Sequence, residues 1–326
     1  MYCASTRLAP ARYAARDLPH QRCVVEQPVD DDQLSRLDIG ADRHSKLSQS
    51  LESVVAGHDC QGYSALVGGK LVDATPSATA LWSTARAHMV ALFARLDDAE
   101  VLLRERTLLG MTGGPTADFN MCLVDDSPNL AGALADSVER LRSRALPGLF
   151  MVSSEASRSL GDRIEEMGLT AVGEAPLMVF SGHVPERTPG YEVVRVTDQS
   201  AVDEVANMVA TAFELDREWV GRTFASNRLA EGDSSVGFYV ARADGRSMST
   251  VTVSGMGEVV GIWSMATPPD LQRRGAGKAA LLGAMAQCRA KGAQTFYLIA
   301  TPAGKPLYDS VGFRTVEIFP MYVLST

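Results

Sequence analysis

Apolar positions along the chain follow helical spacing in some stretches and strand-like spacing in others, and the order of the resulting elements repeats. The first periodic stretch, from about residue 77 to residue 106, has apolar residues at three- and four-residue steps and predicts a helix. After it the pattern predicts strand, helix, strand, helix and strand in turn, at 118–124, 129–145, 149–153, 157–167 and 177–180. Gly168 marks the end of the last of these helices.

The second half of the chain reaches the same order after some additional elements. The added elements are a strand at 191–196, helices at 200–213 and 216–229, and strands at 236–242 and 247–253 joined by a turn at 243–245. The repeated elements are a strand at 259–267, a helix at 277–291, a strand at 296–300, a short helix at 304–311 and a strand at 313–323. The order at 118–180 thus recurs at 259–323, which is typical of a duplicated unit and predicts an α/β layered fold in each half.

This organisation predicts four segments. Residues 1–45 have an irregular pattern, and 46–182 form a first domain. A polar, proline-bearing stretch at 183–190 reads as a linker, and 191–326 form a second domain.

Composition narrows the class of protein. The 326 residues are 46% hydrophobic and 21% charged, as in a globular protein, which excludes a disordered chain or a collagen. A net charge of −8 argues against a general nucleic-acid surface. Five cysteines without a C-x-x-C pair predict neither a disulfide framework nor a metal site. Apolar runs are too short for a membrane span, so we expect a cytoplasmic protein without a membrane partner, its oligomeric state left open.

The densest chemical signal is PPDLQRRGAGKAA at 268–280, where a strand ends and a helix begins. Gly275 and Gly277 allow backbone N–H groups to approach a ligand closely. The first helical N–H groups also lie at the positive end of the helix dipole, an arrangement that binds phosphate. An ordinary strand-to-helix turn is the alternative for an isolated G-x-G.

Local charge supports an anionic ligand. From Leu271 to Tyr308 there is no acidic residue, whereas six basic ones occur. They are Arg273, Arg274, Lys278, Arg289, Lys291 and Lys305. Arg289 and Lys291 suit the C-terminal end of the helix, and a solvated basic face is the alternative for the whole group.

Here the sequence resembles a known family. Gln272-x-x-Gly275-x-Gly277 after a strand is similar to the pyrophosphate-binding signature of the GNAT superfamily of acyl-CoA-dependent N-acyltransferases. The segment 307–313, LYDSVGF, resembles that family's late helix-and-turn motif, in which a tyrosine faces the CoA sulfur. A dinucleotide fold would need a third glycine where Ala280 stands, and a Walker-A loop is absent.

The resemblance implies two tandem GNAT-like domains of α/β (α+β) class, each a mixed, mostly antiparallel sheet flanked by helices. It covers 190–326 by motif and about 60–185 by the order of elements only. The equivalent loop of the first half, Ser127-Pro128-Asn129-Leu130, has neither a glycine pair nor a basic residue. We therefore expect only the second copy to bind CoA, while the first is structural or shapes an acceptor pocket.

The resemblance also implies acyl-CoA, acetyl-CoA or longer, as a co-substrate, with no cofactor bound permanently. The residues implied to bind CoA are Trp263, Met265, Ala266 and Thr267 on the strand, and Gln272, Arg273, Arg274, Gly275, Ala276, Gly277 and Lys278 in the loop. Tyr308 is the expected general acid, since a phenol pKa of ~10 keeps its proton available for the leaving thiolate. A packed aromatic is the alternative for this residue.

The general base is open between two candidates. Glu258 precedes the central strand, with a hairpin-loop carboxylate as the alternative. His183 titrates near neutrality, with an exposed linker histidine as the alternative. Cys288 falls on an apolar helix face and is expected in the core, so we predict direct transfer without a covalent acyl-enzyme.

The acceptor is not named by the sequence. Tandem architectures resemble mycothiol-type synthases, small-metabolite acetyltransferases and actinomycete enzymes that acylate the aminosugar of glycopeptide antibiotics. We therefore predict transfer to a primary amine of a small molecule, such as an amino sugar in antibiotic biosynthesis. The small residues Gly261 and Ala266 are expected to leave room for a longer acyl chain. An acyl-CoA sensor and an acyl-CoA decarboxylase are the alternatives.

Overall fold

The computed structural model describes residues 76–93, 96, 99–185, 189–224, 236–255 and 257–326. Its helices are Ala78–Phe93 (α1), Leu130–Ser143 (α2), Ser154–Leu160 (α3), Arg163–Glu166 (α4), Gln199–Phe213 (α5), Arg217–Thr223 (α6), Ala276–Arg289 (α7) and Lys305–Val311 (α8). Its strands are Glu100–Arg104 (β1), Thr107–Met111 (β2), Asn120–Val124 (β3), Gly148–Val152 (β4), Thr170–Phe180 (β5), Glu192–Arg195 (β6), Val236–Ala243 (β7), Arg246–Ser254 (β8), Val259–Ala266 (β9), Thr295–Ile299 (β10) and Arg314–Leu324 (β11).

All of these strands belong to one 11-stranded sheet, in the order β1-β2-β3-β4-β11-β5-β10-β9-β8-β7-β6. Two neighbouring pairs are parallel, β3 with β4 and β9 with β10, and the other pairs are antiparallel. Each parallel pair is connected by a crossover helix, α2 in the first half and α7 in the second. The repeated strand–helix–strand–helix–strand order and the mixed, mostly antiparallel class are therefore confirmed.

The two halves exchange their last strands. β11 lies between β4 and β5, with Met321 opposite Met151, and β5 lies between β11 and β10, with Met178 opposite Leu298. Each half therefore supplies a strand to the other, and the described residues from Ser77 onward fall in one compact unit. This continuous sheet differs from the separate sheets expected for two tandem domains, whose boundaries stay a prediction.

The core at the junction of the halves is built from both. Helix α1 buries Leu81, Trp82 and Met89 against Phe319 of β11, and the Trp82 and Phe319 ring centroids are 4.9 Å apart. The Trp82 indole Nε1–H donates to Glu317 Oε2 at 2.6 Å. Helix α1 thus packs across the strand exchange.

Two of the expected helices are wrong in extent. The helix expected over 77–106 ends at Phe93, and β1 and β2 follow as a hairpin whose turn has Glu105 at φ 49°. Three consecutive apolar residues, Val101 to Leu103, lie between Glu100 and Arg104, and pairing with β2 satisfies the backbone of this strand. The helix expected over 157–167 divides into α3 and α4, because Gly161 has a φ of 53° that an α-helix does not allow.

The hairpin between β7 and β8 is confirmed, with Asp244 at φ 51° and Gly245 at φ 74° in its turn. Several of the expected features lie outside the described residues. The irregular segment and the start of the first domain fall within 1–75, part of the linker is at 186–188, and the end of the helix expected at 216–229 falls within 225–235. None of the helices that the structure describes is both long and apolar enough to cross a bilayer.

Candidate active site in a cleft between two parallel strands

The parallel strands β9 and β10 separate part of the way along their length. Their pairing runs from Val259 opposite Thr295 to Ile262 opposite Leu298. Beyond that point the register of β9 against β8 shifts, and Ser264 has a φ of 43°. A positive φ at a residue with a side chain is a strained conformation, and here it marks a β-bulge that bends β9 away from its neighbour.

A cleft opens where the strands separate. Its walls come from β9, the end of β10, α8 and the first half of the chain. The lining residues are Met121, Met151, Phe213, Ile262, Trp263, Ser264, Met265, Ile299, Thr301, Gly304, Leu307 and Tyr308. Ligands commonly bind where neighbouring parallel strands diverge at their carboxyl ends.

Tyr308 lies in this cleft. The residue is 9% exposed, and its ring packs edge-on against Phe313 with centroids 5.8 Å apart. Its hydroxyl donates to Met265 Sδ at 3.7 Å, a weak acceptor. Burial raises the pKa of Tyr308 to about 12, so the phenol is protonated at neutral pH. The structure therefore brings together two residues that the sequence assigned to the site.

The glycine loop stands at the end of the same strand. Arg273 has a φ of 63°, and Gly275, at φ 86°, is the residue before the first turn of α7. The first bond within the helix runs from the Ala279 N–H to the Gly275 carbonyl at 3.0 Å. The N–H groups of residues 276–278 precede that bond and point along the helix axis.

Contacts within the loop hold this shape. The Tyr191 hydroxyl donates to the Arg274 carbonyl at 2.6 Å, and Gln272 Nε2 donates to the Thr267 carbonyl at 3.1 Å. A Cβ added at Gly277 would lie 3.1 Å from Met265 Cε, so this glycine allows α7 to start close against β9. The loop and the cleft are thereby held side by side.

The six basic residues divide by position. Arg289 donates to the carbonyls of Ala293 and Gln294 at the C-terminal end of α7, as expected, and Lys305 pairs with Asp309 at 2.8 Å. Lys291 is exposed just after the C-terminal end of α7, and the other three cations, Arg273, Arg274 and Lys278, are exposed at the loop itself.

Trp263 is held by a buried chain of hydrogen bonds. Its Nε1–H donates to Ser254 Oγ at 2.6 Å, and Ser254 is hydrogen-bonded to Tyr297. The Tyr297 hydroxyl lies 2.9 Å from Nδ1 of His88 on α1. Burial lowers the pKa of His88 to about 4, so this imidazole is neutral. A helix of the first half thus helps to orient an indole of the cleft.

The other strand residues expected to bind CoA lie beside the cleft. Ala266 is 2% exposed and packs in the core next to α5, and Thr267 Oγ1 lies 2.8 Å from Ser249 Oγ. A Cβ added at Gly261 would lie 2.7 Å from Trp263 Nε1. The space expected beside Gly261 and Ala266 for a longer acyl chain is therefore filled.

Both candidate bases lie at the opposite end of the sheet. Glu258 is exposed at the start of β9, where its backbone carbonyl accepts from the N–H groups of Gln294 and Thr295 at 2.7 and 2.8 Å. His183 is exposed just after β5, whose Phe180 pairs with Phe296 at the start of β10. Glu258 precedes β9, and His183 follows β5, which is antiparallel to β10. Both therefore lie at the end of these strands that is away from Tyr308.

A second cavity adjoins the cleft and shares Met121, Trp263 and Ser264 with it. Its full lining is Met89, Leu92, Phe93, Leu96, Thr112, Asp118, Phe119, Met121, Thr223, Phe224, Thr252, Trp263 and Ser264. Asp118 is the one ionisable residue of this set, and burial raises its pKa to about 6. The sequence analysis did not identify Asp118 as a site residue. Its position just before an apolar strand was the one feature that could have indicated a buried carboxylate.

The remaining notable groups have structural roles. Cys288 is 3% exposed in the core beneath α7, as expected. Asp216 caps α6 by accepting from the Trp219 N–H at 2.9 Å, and Glu218 pairs with Arg222 on the same helix.

Comparisons with known proteins agree with this geometry. Residues 203–313 match the model of the Acetyltransferase (GNAT) family. Among solved structures, a GCN5-related N-acetyltransferase from Kribbella flavida is similar with a TM-score of 0.55 and 16% identity, covering 74% of this chain and 95% of that chain. At this identity the similarity concerns the fold alone. No curated protein matches the chain in sequence.

Two further structures are similar at a weaker level. A GCN5-related N-acetyltransferase from Sphaerobacter thermophilus has a TM-score of 0.47 and 14% identity, covering 67% of this chain and 80% of that chain. A tandem GNAT protein from the clavulanic acid biosynthesis pathway has a TM-score of 0.45 and 14% identity, covering 67% and 78%. Neither similarity is close enough to support a conclusion about this chain. The family match is confined to residues 203–313, which contain the glycine loop and Tyr308, and it shows that this part of the chain is similar to the GNAT family of acetyltransferases.

Proposed function

We propose that the protein transfers the acyl group of acyl-CoA directly to a primary amine of a small molecule, in the cleft between β9 and β10. One observation carries the proposal. The cleft lies where β9 separates from β10, and it is lined by the buried phenol of Tyr308. The glycine loop, with the N–H groups of the first turn of α7, lies beside it. These are the two parts that an acyl-CoA enzyme needs, an anchor for the diphosphate and a proton donor for the thiolate.

The loop supplies the anchor. The N–H groups of residues 276–278 lie at the positive end of a 14-residue helix, and Arg273, Arg274 and Lys278 surround them. The positive φ of Gly275 leaves its outer side without a Cβ, so a diphosphate can approach the backbone. Beyond Ile262, β9 is no longer paired with β10, and its backbone there supports our assignment of residues 263–267 to the pantetheine arm.

Tyr308 supplies the proton. When the amine attacks the thioester carbon, a C–N bond forms and the C–S bond breaks. The thiolate takes the phenolic proton, and a proton leaving the amine nitrogen restores the phenol. Its raised pKa keeps the phenol protonated until the thiolate develops.

Direct attack is favoured over a covalent acyl-enzyme. No cysteine or histidine is among the residues that line the cleft, and the two cysteines in the described part of the chain, Cys122 and Cys288, are buried in the core. A thiol nucleophile with an adjacent base is thus missing from this cleft.

The equivalent loop of the first half has the opposite electrostatics. Its helix, α2, begins at Leu130, and the preceding Asn129 N–H donates to Glu105 Oε2 at 3.2 Å. A carboxylate at that position repels a diphosphate. This supports our proposal that the second half alone binds CoA.

Free thiol release tests the function against its alternatives. The protein is incubated with acetyl-, malonyl- or octanoyl-CoA, each with and without a panel of amines that includes glucosamine as the amino-sugar probe. Thiol release that requires an amine supports transfer. Release without an amine favours hydrolysis or decarboxylation, and tight CoA binding without release favours a sensor.

A further inference from the structure

The second cavity contains two buried oxygen atoms without a partner. Asp118 Oδ1 and Thr252 Oγ1 are both inaccessible, and neither has a hydrogen-bond partner in the described part of the chain. Both residues line the cavity, on opposite halves of the chain. Buried polar atoms are almost always paired, so two unpaired oxygens that line one cavity are positioned to accept hydrogen bonds from a ligand there.

The backbone around Asp118 is held in place by hydrogen bonds of a neighbouring residue. Asp118 lies in a single turn of 3₁₀ helix, Ala117–Phe119, that leads into β3. The next residue, Asn120, is fully buried, donates to the carbonyls of Gly114 and Pro147 at 2.9 Å and accepts from the Gly113 N–H at 3.2 Å. This network fixes the backbone of the turn on which Asp118 lies.

The rest of the cavity is apolar. Its walls include Met89, Leu92, Phe93, Leu96, Phe119 and Phe224, and no basic side chain is among its lining residues. A carboxylate in such surroundings is costly to keep charged, because burial outweighs the stabilising interactions and raises its pKa, and a cation bound beside it offsets that cost. The cavity therefore suits a molecule with one cationic group and an apolar body.

We propose that Asp118 binds the ammonium group of the acceptor and takes its proton, and that the acceptor is a primary amine with an aromatic or branched aliphatic body. This inference rests on the proposed acyl transfer. The cavity adjoins the cleft of Tyr308 through Trp263 and Ser264, so an amine held by Asp118 faces the place where the thioester is expected.

The proton balance is simple. The bound ammonium gives one proton to the Asp118 carboxylate and becomes a nucleophilic amine. After the C–N bond forms, the nitrogen loses its second proton, which replaces the one that Tyr308 gives to the departing thiolate. Asp118 then returns its proton to solvent, and the products are an amide and free CoA.

The test compares Asp118→Asn with Asp162→Asn, an exposed carboxylate in the same half that makes no side-chain cap bond. Amine-dependent thiol release from acetyl-CoA is measured with 2-phenylethylamine, isopentylamine and glucosamine. We expect kcat/KM for 2-phenylethylamine to exceed that for glucosamine at least tenfold. Asp118→Asn should lower it at least 100-fold and leave the KM for acetyl-CoA within twofold, while Asp162→Asn behaves as wild type.

The outcomes separate the two proposals. Activity of Asp118→Asn within threefold of wild type overturns the role of Asp118 and leaves acyl transfer intact. A preference for glucosamine overturns the apolar acceptor. Thiol release with none of the amines overturns the proposed function itself.

Binding of the amine to the protein is also measured in the absence of turnover. Calorimetry without acyl-CoA should show that 2-phenylethylamine binds wild type and binds Asp118→Asn at least tenfold more weakly, whereas 2-phenylethanol, which has no ammonium group, binds neither measurably. Equal affinity of the amine for both proteins overturns the assignment. Both proteins are first compared by thermal unfolding, and since the variant loses a carboxylate whose charged form is disfavoured by burial, we expect its Tm to be no lower than that of wild type.

Discussion

Burial changes the protonation of three side chains near the cleft, each in the direction that its charge type predicts. It raises the pKa of Tyr308 to about 12 and that of Asp118 to about 6, and it lowers the pKa of His88 to about 4. In each case burial disfavours the charged form. The result is a neutral phenol, a neutral imidazole and a carboxylate that titrates close to neutrality.

The role of Tyr308 is tested by removing its hydroxyl. We expect Tyr308→Phe to lower kcat by about 10²–10⁴-fold, the usual contribution of a general acid. The Kd for CoA should be unchanged, because the hydroxyl makes only a weak contact with Met265. Turnover and CoA binding are measured side by side, with Tyr322→Phe on β11 as the control. Full activity of Tyr308→Phe would remove this residue from the mechanism.

Asp118 should make stability depend on pH. Its folded pKa of about 6 exceeds the unfolded value of 3.8, so between those values the folded state binds the extra proton. The contribution of Asp118 to stability is therefore greatest below pH 3.8 and is lost as pH rises through 6, by roughly 3 kcal/mol. Asp118→Asn lacks this loss, since its side chain carries no charge.

Urea unfolding of wild type and Asp118→Asn at several pH values measures this difference. We expect the variant to be more stable than wild type at pH 8 and the difference to disappear near pH 4. Taking the difference removes the contribution of other groups, His88 included. A variant less stable than wild type at pH 8 would contradict a carboxylate whose charged form is disfavoured by burial.

At the scale of the element, the loop before α7 has the conformation that its residues predict, because that conformation depends on local properties. A glycine at positive φ and a following helix start are determined by neighbouring residues, and Gly275 at φ 86° has the expected conformation. The helix expected over 77–106 failed for the opposite reason. The hairpin of β1 and β2 is stabilised by the pairing of β2 with β3. The spacing of apolar residues within 77–106 carries no information about that pairing.

Gly275→Ala tests the loop, with Gly292→Ala as a matched control at the other end of the same helix. Both glycines have positive φ, 86° and 104°, so each alanine should cost about 1–2 kcal/mol of stability. Only Gly275 borders the proposed diphosphate site, so we expect its variant to bind CoA at least tenfold more weakly. Equal CoA affinities of the two variants would show that the loop does not bind the diphosphate.

At the scale of the whole molecule, the exchange of β5 and β11 joins the halves into one sheet. Neither half can lose its last strand without opening the other, because β11 is paired on both sides by strands of the first half. We therefore expect the halves to unfold together.

Amide hydrogen exchange with Phe319→Ala tests this cooperativity. Phe319 of β11 is fully buried against Trp82, and its truncation should cost about 3–5 kcal/mol. The slowest amides of β3 and of β8 should lose the same free energy of exchange, although Phe319 belongs to neither strand. A loss confined to one of these strands would show that the halves unfold independently.

The sequence by itself determined the order of the elements, the repeat, the glycine loop and Tyr308 as a candidate, because each depends on spacing or on residues adjacent in the chain. The tertiary structure alone decided which strands are neighbours. Because β5 and β11 have similar apolar patterns, pairing each strand within its own half or with the other half would bury them equally well. The tertiary structure also decided which polar groups meet. Glu258 and His183 lie at the far end of the sheet, whereas Asp118, some 190 residues before Tyr308 in sequence, adjoins the cleft because the two halves share one core.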